Sequence, residues 1–270
     1  MKRVLILFLV ILHQFVSGYA QSEKLVLIKT SLGDIKVKLY NETPKHRDNF
    51  LKLVGEKYYD SILFHRVIKN FMIQAGDPVS KHAATDVQLG EGGPAYTIPA
   101  EFNPKLYHKK GVLAAAREGD DVNPLQASSG SQFYIVQGKV MTDQELAQVE
   151  IRVNTMRKYN RMRRYLMLPE NSKMLNDISF SQGAKQDSLL RIVGGIVDTI
   201  YKKEPLFILT PEQREVYKAI GGTPHLDTNY TVFGEVIEGL DIVDKIASVK
   251  TGAADRPLED VRIITMTVLN

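Results

Sequence analysis

The sequence predicts a mainly β protein, a closed barrel with two helices over its ends, interrupted once by an α-helical insertion. Three observations predict it. Short alternating apolar runs separated by glycine-rich turns fill both ends of the chain, and two amphipathic stretches of helical period stand near its beginning and end. Between them, residues 139–222 abandon the strand pattern for a helical one. The bulk composition agrees: 270 residues with 44% hydrophobic and 24% charged residues suffice for one buried core plus an appendage.

The first element is a leader. Lys2 and Arg3 precede the apolar run Val4 to Leu12, and Gly18-Tyr19-Ala20 forms a small-x-small pattern ahead of polar residues, so residues 1–20 read as a cleavable secretory signal cut near Ala20. The run is far shorter than the ~20 apolar residues that span a bilayer, so no stable membrane anchor is expected after cleavage. The remaining chain, 21–270, is expected to be periplasmic or secreted. The formal net charge of +4 includes Lys2 and Arg3 and is too weak to indicate nucleic acid. The absence of cysteine excludes disulfides, thiol catalysis and thiolate metal sites.

Leu25 to Thr30 and the alternating Ile35, Val37 and Leu39 read as a hairpin turning at Ser31-Leu32-Gly33-Asp34. A helix follows, with Thr43 as cap, Pro44 at its first position, an apolar stripe of Phe50, Leu53 and Val54, and Gly55 as stop. The run from Phe64 to Pro78 reads as two short strands about Lys69-Asn70. It brings a guanidinium, two large apolar side chains and an amide together: Arg66, Phe71, Met72 and Gln74. Such a set is suited to gripping an apolar group while donating a fixed hydrogen bond, and offers neither a nucleophile with a base nor a phosphate cradle.

Thr142 with Glu145, and Thr210 and Pro211 with Gln213, are helix-start signatures inside the 139–222 tract. Its first helix is basic, with Arg152, Arg157, Lys158, Arg161, Arg163 and Arg164, a pattern expected of a solvated face or else of a partner or membrane contact. Leu240, Val243, Ile246 and Ala247 mark the second barrel-capping helix, and Val261 to Leu269 the last strand. His46, His82, His108 and His225 have no metal-ligand spacing, so neither metal nor cofactor is expected. Glu118, Asp120 and Asp121 sit in a Gly/Asn/Pro-containing loop and read as a solvated turn without catalytic role.

Four stretches in order carry a family resemblance: Phe64 to Asp77, Gly111 to Ala116, Gly130 to Ile135, and His225-Leu226-Asp227 to Phe233-Gly234. Together they resemble the cyclophilin-type peptidyl-prolyl cis-trans isomerases, here a secreted bacterial form with a helical insertion. The resemblance implies an eight-stranded antiparallel barrel capped by two helices, with the active site on its outer face. It implies that Arg66, Phe71 and Gln74 are catalytic, and that His65, Met72, Ala116, Arg117, Gln132, Tyr134, Leu226 and Tyr230 bind substrate. Strand period adds that Gln132 and Tyr134 share a face while Phe133 points into the core.

The implied activity is rotation of X-Pro bonds in unfolded or exported polypeptides, assisting their folding. The alternative is a non-catalytic proline-binding chaperone or interaction module. The chain also departs from the family's best-known members. His225 stands where cyclosporin-sensitive forms carry tryptophan, Arg117 replaces a common asparagine, and Tyr230 replaces a histidine. The loop from Arg117 to Ser129 is longer than in minimal forms. The insertion begins after the Tyr134 strand and ends before Leu226, so it is expected to gate or extend substrate binding.

Overall fold

The computed structural model describes residues 23–269; the leader read at 1–20 lies outside the described residues. The chain opens with a hairpin, β1 (Lys24–Thr30) and β2 (Gly33–Leu39), whose two-residue turn needs glycine at its exit. Gly33 has φ +141°, and a Cβ there would lie 2.4 Å from Ile242. Helix α1 (Pro44–Gly55) follows, then β3 (Arg66–Ile68), β4 (Met72–Ala75), β5 (Thr97–Ile98), β6 (Val112–Ala115), β7 (Ser128–Ser129) and β8 (Phe133–Val136). The insertion supplies α2 (Asp143–Leu166), α3 (Ser172–Ser179), α4 (Gly183–Ile200) and α5 (Pro211–Ala219). The chain then returns through β9 (Val232–Glu238), α6 (Leu240–Ala247) and β10 (Ile263–Leu269).

Eight strands form one antiparallel sheet in the order β10-β1-β2-β9-β6-β8-β4-β3, and β5 with β7 makes a separate ribbon. The segment entering β3 stitches the two edges of the large sheet together. Ser61 N donates to Ile263 O (2.9 Å), Ile263 N to Ile62 O (2.8 Å) and Phe64 N to Val261 O (2.9 Å). Closure of this kind removes the exposed edges that an open sheet would leave. Inward residues of the strands pack with Phe50, Leu53 and Val54 of α1 and with Val243, Ile246 and Ala247 of α6 in one apolar core. The eight-stranded barrel with two covering helices is therefore the observed fold.

Two local readings need correction. Thr43 occupies the cap position of α1, but its side chain makes no capping bond. The carboxylate of Glu101 accepts from Lys45 N (3.1 Å) and His46 N (3.0 Å) instead, satisfying the helix's free donors from a distant loop. Helix α1 ends at Gly55 as expected, and the left-handed residue of the following turn is Lys57 at φ 59°. The last strand starts at Ile263 rather than Val261, because Val261 and Arg262 pair instead with the segment at Leu63 and Phe64 that closes the barrel.

Both capping boxes form, at Thr142–Glu145 and at Thr210–Gln213. The insertion leaves and re-enters the barrel at one point, where Lys139 and Lys109 each bridge to Gly222. Gly222 has no room for a side chain, since a Cβ would lie 2.3 Å from His108 O. Because its ends meet, the insertion costs the barrel little. It has a small core of its own, Leu166, Ile178, Val193 and Val197. A second cluster, Leu146, Val153, Phe207, Leu209 and Tyr217 with Tyr107, seals it to the barrel.

The basic helix α2 is not simply a solvated face. Arg157 donates to Thr228 Oγ1 (2.6 Å) and lies over Phe207, Arg161 pairs with Glu204 and lies over Tyr201, and Lys158 pairs with Asp198 (2.7 Å). Burial, reinforced by neighbouring Arg161, lowers the Arg157 pKa from its ordinary value.

Candidate active site

Strand register assembles the site. Arg66 on β3 stands opposite Gln74 on β4, Gln74 opposite Tyr134 on β8, and Tyr134 opposite Ala114 on β6. These four residues form one cross-strand row, with neighbouring side chains ~5 Å apart at Cβ. The row faces outward. Met72, Ala114, Ala116, Tyr134 and Val136 pack in an outer apolar cluster joined by Phe71, Leu226 and Tyr230. Their neighbours Ile73, Ala75, Leu113, Ala115 and Phe133 belong to the inner core, where Phe133 meets Phe50 and Tyr59 edge to face at 5.5 Å. Alanine at both 114 and 116 keeps the β6 part of this wall low.

The polar side of the row is a relay. Arg66 Nη1 donates to Gln74 Oε1 (3.4 Å) and Gln74 Nε2 to Gln132 Oε1 (3.0 Å). Gln132 Nε2 in turn donates to the carbonyls of Gly90 (2.7 Å) and Gly92 (2.8 Å). Asp77 accepts from Gly90 N (2.6 Å), so the glycine-rich loop is held from both sides. Behind the guanidinium, Asp255 accepts from Arg66 Nε at 3.4 Å. Arg66 remains 43% exposed, available to a substrate.

The apolar side is anchored equally firmly. Gln137 N and Gly138 N both donate to Phe71 O at 3.0 Å, and Gln137 Oε1 accepts from Asn70 N (2.6 Å), fixing the turn at its left-handed Asn70. His225 stacks on Phe71 with ring centroids 5.6 Å apart. Burial, then the nearby Arg152, lowers the pKa of His225 to about 4, so the ring is neutral at pH 7. Tyr230 meets Tyr134 edge to face at 6.0 Å, and the Arg117 guanidinium lies over the Tyr230 ring at 4.4 Å.

Arg117 is otherwise committed to the protein, donating to Asn229 O and Glu118 O (both 2.8 Å) and pairing with Asp120 at 2.7 Å. The loop acids therefore differ from one another: Glu118 and Asp121 are exposed, whereas Asp120 is a half-buried structural partner rather than part of a solvated turn. His65, next to Arg66 in sequence, is buried behind the row with a Cβ at Gly90 falling 3.6 Å from its ring. Desolvation lowers its pKa to about 4.

Beneath Tyr134 runs a buried network absent from the sequence reading. His108 Nδ1 lies 2.8 Å from Asp227 Oδ1, and His108 Nε2 lies 2.9 Å from the Tyr134 hydroxyl. A carboxylate only accepts, so Nδ1 carries the proton and, in the neutral ring, Nε2 accepts from the phenol. Asp227 also accepts from His108 N (2.7 Å) and from the Tyr217 hydroxyl of α5 (2.7 Å). Burial pushes the Tyr134 phenol well above its ordinary pKa, keeping it a donor. Asp227 lies in one of the recognised motifs, but His108, Tyr217 and Asp255 had no local signal.

A cleft of about 1080 Å³ opens beside the row. Gln74, Ala116, Arg117 and Gln132 line its near side, and residues of α2 and α4 its far side. Among the described residues no three His, Asp or Glu side chains gather as metal ligands, and no helix is long and apolar enough to cross a membrane.

Comparison with known proteins shows what the chain is similar to. The family model for the cyclophilin type peptidyl-prolyl cis-trans isomerase/CLD matches residues 25–149 and 207–268, leaving out most of the helical tract. A Staphylococcus aureus (strain COL) protein named "Putative peptidyl-prolyl cis-trans isomerase" is 31% identical over 252 residues, covering 92% of this chain and 93% of that protein. A Streptococcus pyogenes serotype M6 protein named "Putative bifunctional phosphatase/peptidyl-prolyl cis-trans isomerase" is 32% identical over 248 residues. The chain spans 38% of that longer protein. The crystal structure of a Cryptosporidium parvum cyclophilin type peptidyl-prolyl cis-trans isomerase superposes with TM-score 0.54 at 19% identity, covering 92% of this chain and 98% of that one, a likeness of fold. The same protein in the presence of the dipeptide Ala-Pro gives TM-score 0.52.

Proposed function

The chain belongs to the cyclophilin-type peptidyl-prolyl cis-trans isomerases, and from that membership we propose that it rotates X-Pro bonds of exported polypeptides at the Arg66–Tyr134 row, using Arg66 as its catalytic donor. The observation that carries the site assignment is the row itself: a half-exposed guanidinium, braced by Asp255 and Gln74, beside the apolar cluster of Phe71, Met72, Tyr134 and Leu226.

The chemistry needs no cofactor, nucleophile or external energy. Rotation about a peptide bond faces a barrier of ~18–20 kcal/mol because resonance gives C–N double-bond character. The two X-Pro isomers differ by only ~0.5–1 kcal/mol, so a catalyst has merely to bind the twisted state best. In the planar imide the proline nitrogen has given its lone pair to the carbonyl. In the twisted state that pair returns, and Arg66 donates to it. A hydrogen bond involving a charged group is worth about 1.5–3 kcal/mol, or roughly one to two powers of ten in rate.

The apolar cluster seats the ring while the preceding carbonyl swings. Gln74, fixed by Gln132, offers its amide to the substrate backbone and aligns the guanidinium. Phe71, held through its own carbonyl, and Leu226 close the wall, and Met72 and Ala116 form its floor beside Tyr134. His65, Arg117 and Tyr230 act as supports of this surface.

The leader read at 1–20 supports a periplasmic or secreted location and hence exported, proline-containing clients. There, uncatalysed isomerisation takes tens to hundreds of seconds and limits folding. Magnetisation-exchange NMR on a short X-Pro peptide tests the activity: the protein should speed cis–trans exchange at substoichiometric concentration. Binding without acceleration would favour the proline-binding module instead.

A further inference from the structure

Resting on the isomerase reading, we propose that the insertion is the second half of the substrate site. Tyr165, Met167, Leu168 and Ile200 form a wall that holds apolar side chains of the same unfolded polypeptide whose proline lies at Arg66.

Continuity is the first support. The cleft they line is also lined by Gln74, Ala116 and Gln132, so a chain leaving the proline seat enters it directly. Its volume of about 1080 Å³ reaches the upper end of small-ligand pockets, ~300–1,000 Å³, and a prolyl dipeptide on the outer row would leave it largely empty.

Exposure is the second support. Met167 is 55% exposed, Leu168 44% and Ile200 56%, and across the cleft Val122 and Leu125 of the long loop are 65% and 77% exposed. Apolar groups brought from separate segments to line one concavity mark a binding surface more than chance scatter does. Met167, Leu168 and Ile200 stand outside the insertion's own core, which is built from Leu166, Ile178, Val193 and Val197, while Tyr165 packs partly against that core from the cleft side.

The wall is also held in place relative to the proline seat. Arg157 of α2 bonds to Thr228, two residues beyond Leu226, and Tyr217 of α5 bonds to Asp227. An unfolded segment suits this lining because it presents alternating apolar side chains with free backbone polar groups. Gln132, Gly90 and Gly92 supply polar atoms along the near side.

The test uses the full chain and a triple variant, Met167→Ser, Leu168→Ser and Ile200→Ser, whose exposed positions leave the fold intact by circular dichroism. Three peptides serve as probes: Ala-Ala-Pro-Ala, a longer peptide with leucine and phenylalanine on both sides of the same core, and its serine-flanked twin. The expected result is a KM for the apolar-flanked peptide roughly tenfold below the others, equivalent to ~1.4 kcal/mol. The triple variant should lose that advantage while its kcat and its tetrapeptide activity stay unchanged. Equal KM values for the apolar- and serine-flanked peptides, or a triple variant that behaves as wild type, would overturn the proposal. Were the wild type inactive on the tetrapeptide, the isomerase reading would fail separately. Fluorescence anisotropy would then decide the wall, which requires about tenfold weaker binding of the apolar-flanked peptide by the triple variant.

Discussion

Replacing Tyr134 with phenylalanine separates the two tasks of that side chain. Its ring lines the outer wall, while its hydroxyl is the terminal donor of the Tyr134–His108–Asp227–Tyr217 network. Tyr134→Phe keeps the ring and leaves His108 Nε2 without a partner in a place where His108 has no exposure at all. An unsatisfied buried polar group costs about 1–3 kcal/mol. Around 2 kcal/mol corresponds to a fall in Tm of about 4–8 °C for a protein of this size class. Tyr217→Phe, which removes a donor to a carboxylate, should cost a similar amount, and the double variant should lose less than the sum because both bonds belong to one network. Differential scanning calorimetry and urea midpoints read the stability, and peptide exchange should persist in Tyr134→Phe because the wall remains. An unchanged Tm in Tyr134→Phe would refute the assignment of a buried, loaded hydrogen bond to His108.

Three further outcomes are expected. Asp255→Ala should leave stability within ~1 kcal/mol, since the ion pair with Arg66 is half-exposed, yet lower kcat several-fold at unchanged KM because the guanidinium loses its brace; an unchanged kcat contradicts this. His65 has a folded-state pKa of about 4 against an ordinary 6.5, so its contribution to stability is complete above pH 6.5 and is lost as the pH falls toward 4. Wild type should therefore lose about 2 kcal/mol more than His65→Leu between pH 7 and pH 5 in urea titrations, and equal losses would contradict the assignment. Cyclosporin should bind weakly, because His225 rather than an indole stacks on Phe71 at the pocket rim; tight stoichiometric inhibition of exchange would count against it.

Much of the barrel was legible because its signals are local. The period-two alternation of Gln132, Phe133 and Tyr134 correctly divided core from outer face, and the capping boxes at Thr142 and Thr210 located two helix starts inside the insertion. What escaped depends on partners far apart in the chain. Glu101 caps α1 across 55 residues, Asp255 reaches Arg66 across 189, and His108 meets Asp227 across 119. No spacing rule joins such pairs before the fold has brought them together. Arg117 illustrates the converse: it lines the cleft where the motif put it, but its ion pair with Asp120 and its place over the ring of Tyr230, which take up its charge, carry no local signal.

The central claim is that Arg66 stabilises the twisted imide rather than the bound ground state. Arg66→Ala, measured by exchange NMR alongside peptide titration, tests it most directly. The account predicts a fall in catalysed exchange of roughly ten- to a hundredfold with peptide affinity changed far less. Exchange as fast as in the wild type, or a loss of rate matched by an equal loss of ground-state binding, would contradict it.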